Sequence, residues 1–141
     1  MKVQVALSKD FLFLLALLAG PLCWLVLYVL LAPDPQWDWP LRRPDVFLMP
    51  ALVYPVLEEI AFRGLLQELV REHVSTASCG PLSHANLLTS MVFTALHFIY
   101  HAPLWAALVF FPSLVFGFFK DRTRSVLAPV ILHVFYNSGF L

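Results

Sequence analysis

Charged residues, cysteines and internal repeats are all scarce in this sequence. Of its 141 residues only 13% are charged, and the formal net charge is zero. No basic surface therefore indicates a nucleic-acid partner. Cys23 lies in an apolar run and Cys79 in a polar loop, so their expected depths differ, which argues against a disulfide. Neither cysteine has the spacing of a metal ligand.

The scarcity of charge is matched by an excess of apolar residues. Hydrophobic residues make up 60% of the chain. Soluble domains average about 45–50% apolar and about 25% charged residues. We therefore expect an integral membrane protein in which residues 1–141 form a single helical domain.

Five apolar segments approach the length of a membrane helix, for which about 20 residues cross a hydrocarbon core about 30 Å thick. They cover residues 11–32, 46–70, 85–101, 103–119 and 125–141. The sequence thus predicts an all-α, polytopic transmembrane helical bundle. Residues 46–141 form its core and residues 11–32 an extra N-terminal helix. This first helix exceeds the apolar region of a signal peptide, about 7–15 residues, so we interpret it as retained.

Positive residues between the segments predict an orientation. With the N-terminus in the cytoplasm, Arg42 and Arg43 lie outside, whereas six positive residues lie inside: Lys2, Lys9, Arg71, Lys120, Arg122 and Arg124. The positive-inside rule favours this arrangement. We further expect residues 120–124 to form a compact basic loop and Glu68 to lie on a solvated helix face.

Glu58, Glu59 and Arg63 lie well inside the second segment. A central Asp, Lys or Arg in a membrane helix costs about 2.5–3.5 kcal/mol, so charge at this depth by default indicates a functional site. Glu59 and Arg63 are four residues apart, share a helix face and can pair. Glu58 points roughly 100° away from Glu59. This geometry predicts Glu59 and Arg63 as supporting residues and Glu58 as a reacting base.

Two later segments carry polar side chains that can complete such a site. His97 follows Phe93 by four residues, so the two rings share a helix face and we expect Phe93 to support the site. Glu58 together with His97 could polarise a water near neutral pH. His133 and Asn137 are also four residues apart and offer two donors toward one point, as an oxyanion site requires.

These residues fall into three motifs that resemble a known family. The run EEIAFRG at 58–64 resembles the EExxFRG signature of the CAAX protease and bacteriocin-processing (CPBP, or ABI) intramembrane endopeptidases. FTALH at 93–97 resembles their second motif, FxxxH, and HVFYN at 133–137 their third, HxxxN or HxxxD. All three occur in the family's order, on separate apolar segments.

The resemblance implies a glutamic-type intramembrane endopeptidase without a cofactor. By position, Glu58 and His97 would activate the hydrolytic water, and His133 and Asn137 would stabilise the oxyanion. The implied partners are the lipid bilayer and a protein or peptide substrate in or at the membrane. The chain is short for this family, like the small members associated with C-terminal sorting signals (the JDVT-CTERM type). A C-terminal sorting tail is therefore one expected substrate feature, and prenylated CAAX substrates are in doubt.

Alternatives remain open from the sequence. One glutamate and two histidines also make a plausible zinc set, so Glu58, His97 and His133 could belong to a zinc-dependent membrane peptidase. The chain could instead be a small non-enzymatic transporter or immunity-type protein, because intramembrane charge also suits proton pathways. Each motif alone also fits a purely structural ion pair or helix bridge.

The three ordered motifs together favour catalysis over these alternatives. We expect the protein in a prokaryotic inner (cell) membrane with a cytoplasmic N-terminus. On that topology the site tilts toward the extracytoplasmic face.

Overall fold

The computed structural model describes residues 7–31 and 39–140. Helices account for 83% of it, which confirms the predicted all-α class. The described residues within Met1–Leu57 and Ile131–Leu141 form one compact unit, and Glu58–Val130 forms a second. The predicted helix ends at residues 32 and 141, and Lys2 of the predicted orientation, lie outside the described residues.

The first unit begins with a 3-10 turn, Leu7–Lys9, and a long helix, α1. Asp10 precedes α1, and its carboxylate accepts a hydrogen bond from the Leu12 N–H at 3.1 Å, which is the usual work of an N-cap residue. Helix α1 spans Phe11–Leu31. The remaining elements are α2 (Trp39–Arg42), α3 (Pro44–Leu48), a π-helical segment (Met49–Val53), the start of α4 (Tyr54–Glu59) and most of α9 (Leu127–Phe140).

Exposed charges flank the start of α3. Arg43 donates hydrogen bonds to both carboxylate oxygens of Asp45, at 3.3 and 3.2 Å. The hydrogen bond from Arg43 lowers the pKa of the Asp45 carboxyl from its ordinary value. Asp45 also lies in the first turn of α3, where a negative charge suits the helix dipole.

Aromatic side chains join α1 to α9. The indole N–H of Trp24 donates to the carbonyl of Tyr136 at 3.0 Å, and the hydroxyl of Tyr136 donates to the carbonyl of Ala16 at 2.6 Å. The hydroxyl of Tyr28 donates to the carbonyl of Gly139. A β-carbon on Gly139 would lie 2.1 Å from the Trp24 ring, so only glycine permits this approach.

The second unit is mainly helical and contains one short hairpin of two two-residue antiparallel strands. Its elements after Glu59 are a second π-helical segment (Ile60–Leu66), α5 (Gln67–His73), β1 (Ser78–Cys79), β2 (Leu82–Ser83), α6 (His84–His97), α7 (Pro103–Leu108), α8 (Phe110–Thr123) and the start of α9. Gly80 and Pro81 form the turn of the hairpin, and Ser78 pairs with Ser83.

Helices α6 and α8 pack closely because small polar residues line α6. Ala85, Asn86, Thr89 and Ser90 are all buried, as is typical where membrane helices approach each other. The Asn86 amide donates to the carbonyl of Leu114 at 2.9 Å, and Ser90 donates to Asn86 at 3.1 Å. Ser83 caps α6 by accepting from the Asn86 N–H at 2.9 Å.

Two helical stretches among the described residues are long and apolar enough to cross a membrane: Phe11–Leu30 and Pro103–Thr123. The second consists of α7 and α8, which are separated by Val109 alone. The predicted segment 46–70 is helical throughout but alternates between α and π geometry and carries four charged side chains: Glu58, Glu59, Arg63 and Glu68.

Two local predictions for the polar end of this unit are wrong. Residues 120–123 do not form a loop but the last turn of α8, and Lys120 is buried. Glu68 does not lie on a freely solvated face: it binds the ammonium group of Lys120 at 3.2 Å and the guanidinium of Arg71. Glu68 on α5 and Lys120 on α8 neutralise each other. A prediction made from one segment at a time could not include this contact.

Candidate active site

The first motif lies where α4 passes into the second π-helical segment. Glu58 and Glu59 end α4, and Ile60–Leu66 follows with π geometry. The Gln67 N–H at its end donates to the carbonyl of Phe62, five residues back. Such π segments are uncommon and occur frequently at functional sites. The sequence predicts a regular α-helix here, so this irregularity is a correction.

Glu59 and Arg63 form an ion pair with no solvent exposure. The Nε–H of Arg63 donates to Oε2 of Glu59 at 3.3 Å, and both side chains are 0% exposed. The pairing is the one that the four-residue spacing predicts. Because each charge is removed from water, neither is tolerable without the other.

The rest of the Arg63 guanidinium binds α8. Its Nη2 donates to the carbonyl of Ser113 at 2.9 Å and also to the Ser113 hydroxyl. Its central carbon lies 5.8 Å from the centre of the Phe93 ring on α6, within cation–π range. Arg63 therefore holds three helical segments of the second unit together beside the two glutamates.

Gln67 extends this contact by one more turn. Its amide donates to the carbonyl of Gly117 at 3.1 Å and to the carboxylate of Asp121 at 2.9 Å. Glu59, Arg63 and Gln67 thus form a polar row with a spacing of four residues. Sequence reasoning stopped at Arg63 and missed Gln67, although the same spacing could have found it.

Glu58 and Glu59 have different environments despite being adjacent. Glu59 is fully buried against Arg63, whereas Glu58 is half-buried. A half-buried carboxylate retains a route to water or to a ligand. The pairing of Glu59 is the predicted one, and the role of Glu58 as the reacting base remains a prediction.

The imidazole of His97 is fixed by its own helix. Its Nδ1 lies 2.8 Å from the carbonyl oxygen of Phe93, one turn earlier on α6. A carbonyl only accepts hydrogen bonds, so Nδ1 must carry the proton. In the neutral ring the lone pair is then on Nε2, the nitrogen that can accept a hydrogen bond from water or bind a metal.

A row of rings holds His97 in this orientation. The centre of the Phe93 ring lies 4.4 Å from the centre of the imidazole. The Phe62 and Phe93 rings meet edge-on, with their centres 4.9 Å apart. On the other side, the exposed His101 ring stacks on His97 at 5.4 Å, with 19° between the planes. Phe93, predicted as a supporting residue, therefore contacts both His97 and the first motif.

His133 and Asn137 belong to the first unit, on α9. His133 is buried, and Asn137 is half-buried. The Asn137 amide nitrogen donates to the carbonyl oxygen of Pro50 at 2.9 Å. Sequence reasoning did not foresee this bond, which connects the third motif with the π-helical segment Met49–Val53.

The π geometry and Pro55 together explain why the Pro50 carbonyl accepts a side chain. The Tyr54 N–H, which a regular α-helix would direct to Pro50, donates to Met49 instead. The next backbone nitrogen belongs to Pro55, which has no hydrogen to donate. An orphaned carbonyl is costly in an apolar setting, and Asn137 supplies the missing donor.

Within the second unit, Glu58–Val130, no three side chains of His, Cys, Asp or Glu form a group that could hold a metal ion. The zinc set considered from the sequence takes His133 from the other unit, so it remains a prediction. The same is true of the joint role of Glu58 and His97 with His133 and Asn137.

Comparisons with known proteins bear on these residues. The sequence profile of the family described as type II CAAX prenyl endopeptidase Rce1-like matches residues 42–139, a range that contains all three motifs. An uncharacterized 24.3 kDa protein of Escherichia coli is 31% identical over 94 residues, or 64% of this chain and 42% of that protein. The chain therefore spans less than half the length of this curated relative. No solved structure matches the chain.

Proposed function

The chain belongs to the type II CAAX prenyl endopeptidase Rce1-like family, and we propose that it is an intramembrane endopeptidase acting on a membrane-associated protein or peptide. Membership of this family confirms the resemblance derived from the three motifs. The family is membrane-embedded, in keeping with the two spanning-length helices. The single observation that best supports the proposed chemistry is the difference in burial between Glu59, which is fully buried, and Glu58, which is half-buried.

In the proposed reaction Glu58 is the general base and His97 its partner. A water held by the Nε2 lone pair of His97 loses a proton to the Glu58 carboxylate as its oxygen attacks the scissile carbonyl carbon. The proton then passes from Glu58 to the leaving amine as the carbon–nitrogen bond breaks. Proton transfer by a positioned side chain typically accelerates a reaction by about 10²–10⁴-fold.

His133 and Asn137 are the proposed donors to the tetrahedral oxyanion. Each is one helical turn from the other on α9, a spacing that can direct two donors to one oxygen. One N–H of the Asn137 amide binds Pro50, and the amide carries a second N–H for the oxyanion. The bond to Pro50 would then fix the direction of that second donor.

A zinc-dependent mechanism is the alternative within the same family assignment. The protonated Nδ1 of His97 bonded to a carbonyl is also the arrangement that supports a metal-ligating histidine. We favour the glutamic mechanism without a cofactor. Glu58, His97 and His133 are the ligands to examine should zinc copurify.

The finer features of the protein follow from the same proposal. We propose about five membrane segments in a prokaryotic inner membrane, with a cytoplasmic N-terminus and a site that opens toward the extracytoplasmic face. The substrate would carry a C-terminal sorting tail rather than a prenyl group. Of the positive residues that support this orientation, Arg71 lies in the last turn of α5, and Lys120, Arg122 and Arg124 lie at the end of α8.

The decisive experiment replaces Glu58 with glutamine. Wild-type protein in liposomes is first screened against fluorogenic peptides and membrane-anchored reporter proteins to find a cleaved substrate. Glu58→Gln keeps the side-chain shape but removes the base, so cleavage should fall by about 10²-fold or more. Glu72→Gln, at an exposed glutamate on α5, is the matched control and should leave cleavage unchanged.

Two results would overturn the proposal. Cleavage by Glu58→Gln at the wild-type rate would remove Glu58 from the reaction. Proton-coupled uptake of a solute into the same liposomes, without cleavage of any substrate, would instead favour the transporter-type alternative.

A further inference from the structure

The second unit contains a cavity whose lining includes no residue of the three motifs. Its volume is ≈ 260 Å³, and it lies between the β-hairpin and the end of α8. Hydroxyl groups and two guanidinium groups predominate among its lining residues, which are Arg71, Thr76, Ser78, Gly80, Pro81, Ser83, Asp121 and Arg124.

The acidic group in the cavity is already satisfied. One carboxylate oxygen of Asp121 accepts from the Gln67 amide at 2.9 Å and lies 3.8 Å from Arg71. The other accepts from the hydroxyl of Ser83. Hydrogen-bond donors therefore bind both carboxylate oxygens of Asp121, and these contacts offset its negative charge in the cavity.

Arg124 contributes a positive charge to the cavity that no described carboxylate pairs with. Arg71 is paired with Glu68 and Asp121, but the guanidinium of Arg124 has no side-chain partner among residues 7–31 and 39–140. The hydroxyl groups of Thr76 and Ser78 line the same space. A cavity with two guanidinium groups and several hydroxyls suits an anion with many acceptor oxygens, such as phosphate.

The backbone presents this charge through an unusual conformation. Arg124 has φ 59°, the left-handed region, at the end of α8, and its N–H donates to the carbonyl of Lys120 at 2.9 Å. Gly80, on the opposite hairpin, also has positive φ. Among the described residues these two are the ones with positive φ, and both line the cavity.

The cavity lies where a membrane surface is expected. Arg124 directly follows Pro103–Thr123, a helical stretch long enough to span the bilayer. Ser83 and His97 are at opposite ends of α6, so the cavity is about 20 Å from the candidate catalytic histidine at 1.5 Å rise per residue. Basic pockets at this depth are suited to the headgroups of anionic lipids.

We propose that this cavity binds a phosphate group, supplied either by the headgroup of an anionic phospholipid or by a soluble phosphate. The Arg124 guanidinium is the principal donor, Arg71 the second, and the hydroxyls of Ser78 and Thr76 complete the contact. Binding would anchor the β-hairpin and the end of α8 to the membrane surface.

The test compares two neighbouring arginines in the full-length protein. Arg124→Asn removes the guanidinium, and asparagine tolerates the left-handed backbone. Arg122→Asn removes the same charge two residues earlier, outside the cavity lining, and is the matched control. Each protein is placed in nanodiscs of phosphatidylcholine alone or with phosphatidylglycerol. Retained lipid is measured by native mass spectrometry, and thermal unfolding confirms that each variant is folded.

For a lipid source, wild type and Arg122→Asn retain phosphatidylglycerol selectively, and Arg124→Asn retains it about tenfold less, the loss of one charge-assisted contact. For a soluble source, inorganic phosphate raises the unfolding temperature of the wild type and of Arg122→Asn in phosphatidylcholine nanodiscs, but not that of Arg124→Asn. Equal losses in the two arginine variants, or no response to either probe in the wild type, would overturn the proposal.

Discussion

The side-chain amide of Asn137 donates a hydrogen bond to the carbonyl of Pro50, 87 residues earlier in the chain. That carbonyl lacks a backbone donor because Tyr54 donates to Met49 and Pro55 has no N–H. The third motif therefore repairs a defect in the helix that leads to the first motif. Asn137 has this structural contact whether or not it also stabilises an oxyanion.

Asn137→Ala should destabilise the protein by about 1–3 kcal/mol, since it leaves the Pro50 carbonyl without a partner. In a Pro55→Ala background the new Ala N–H can supply a backbone donor, so the same substitution should cost less. A double-mutant cycle of unfolding free energies in detergent measures the difference, which we expect to reach about 1 kcal/mol. A coupling of zero would refute the account of the Pro50 carbonyl.

The same variants separate the structural role of Asn137 from its proposed chemical role. If Asn137 also donates to the oxyanion, the double variant regains stability but cleaves substrate about 10²-fold more slowly than Pro55→Ala alone. Recovery of both stability and cleavage would leave Asn137 with the structural role only.

Glu59→Gln should be among the most damaging single substitutions in the second unit. It leaves the Arg63 charge buried without its counterion, a change that typically costs about 3–5 kcal/mol. Replacing both residues with glutamine removes the unpaired charge and should cost less than Glu59→Gln alone. Chemical unfolding of the three proteins checks this order.

Glu68→Gln is the matched control for the buried pair. Glu68 also binds basic side chains, but it is 33% exposed, against 0% for Glu59. Its loss should cost less, about 1 kcal/mol, because Asp121 still acts electrostatically on the buried Lys120. Equal destabilisation by Glu59→Gln and Glu68→Gln would contradict the view that burial makes the Arg63 contact critical.

An added methyl group should destabilise the protein at Gly117 but have little effect at Gly64. A β-carbon on Gly117 would lie 1.9 Å from the Asn86 side chain, where α6 meets α8, so Gly117→Ala should cost about 1–3 kcal/mol or more. At Gly64, the last residue of the first motif, the nearest atom would be 3.6 Å away. Gly64→Ala should therefore change stability by no more than about 1 kcal/mol and leave cleavage intact. Unfolding and cleavage assays on both variants test the contrast, and a Gly117→Ala protein as stable as wild type would disprove the close approach.

Exhaustive chelation should leave cleavage unaffected if Glu58 is the base. Elemental analysis of the purified protein should then find zinc well below one equivalent. Chelation that abolishes cleavage, with recovery on adding zinc, would establish the zinc alternative. In that case Glu58→Gln, His97→Ala and His133→Ala should each lower the zinc content.

The all-helical fold and the Glu59–Arg63 pair could be predicted because both depend on spacing within one segment. Apolar runs of sufficient length indicated the helices, and a separation of four residues indicated the pair. The resemblance of the three motifs to the family was equally local, since each motif occupies a few neighbouring positions.

The features that escaped prediction depend on contacts between distant segments. The π geometry around Pro50 is stabilised by Asn137, and no window of sequence contains both residues. Lys120 is helical and buried because Glu68, on another helix, neutralises it. A run of basic residues in isolation is typical of a loop, so the sequence around Lys120 was misinterpreted.

The helix preceding the family's matched range has a consequence for truncated versions of this protein. Gly139 lies in the last turn of α9, where backbone carbonyls lack donors within their own helix. Tyr28 and Trp24, both on α1, cover the carbonyls of Gly139 and Tyr136. A fragment cloned from residue 42 onward would retain every signature residue yet leave those oxygens facing hydrocarbon. Domain boundaries drawn from sequence profiles alone would therefore give a poor starting point for expression.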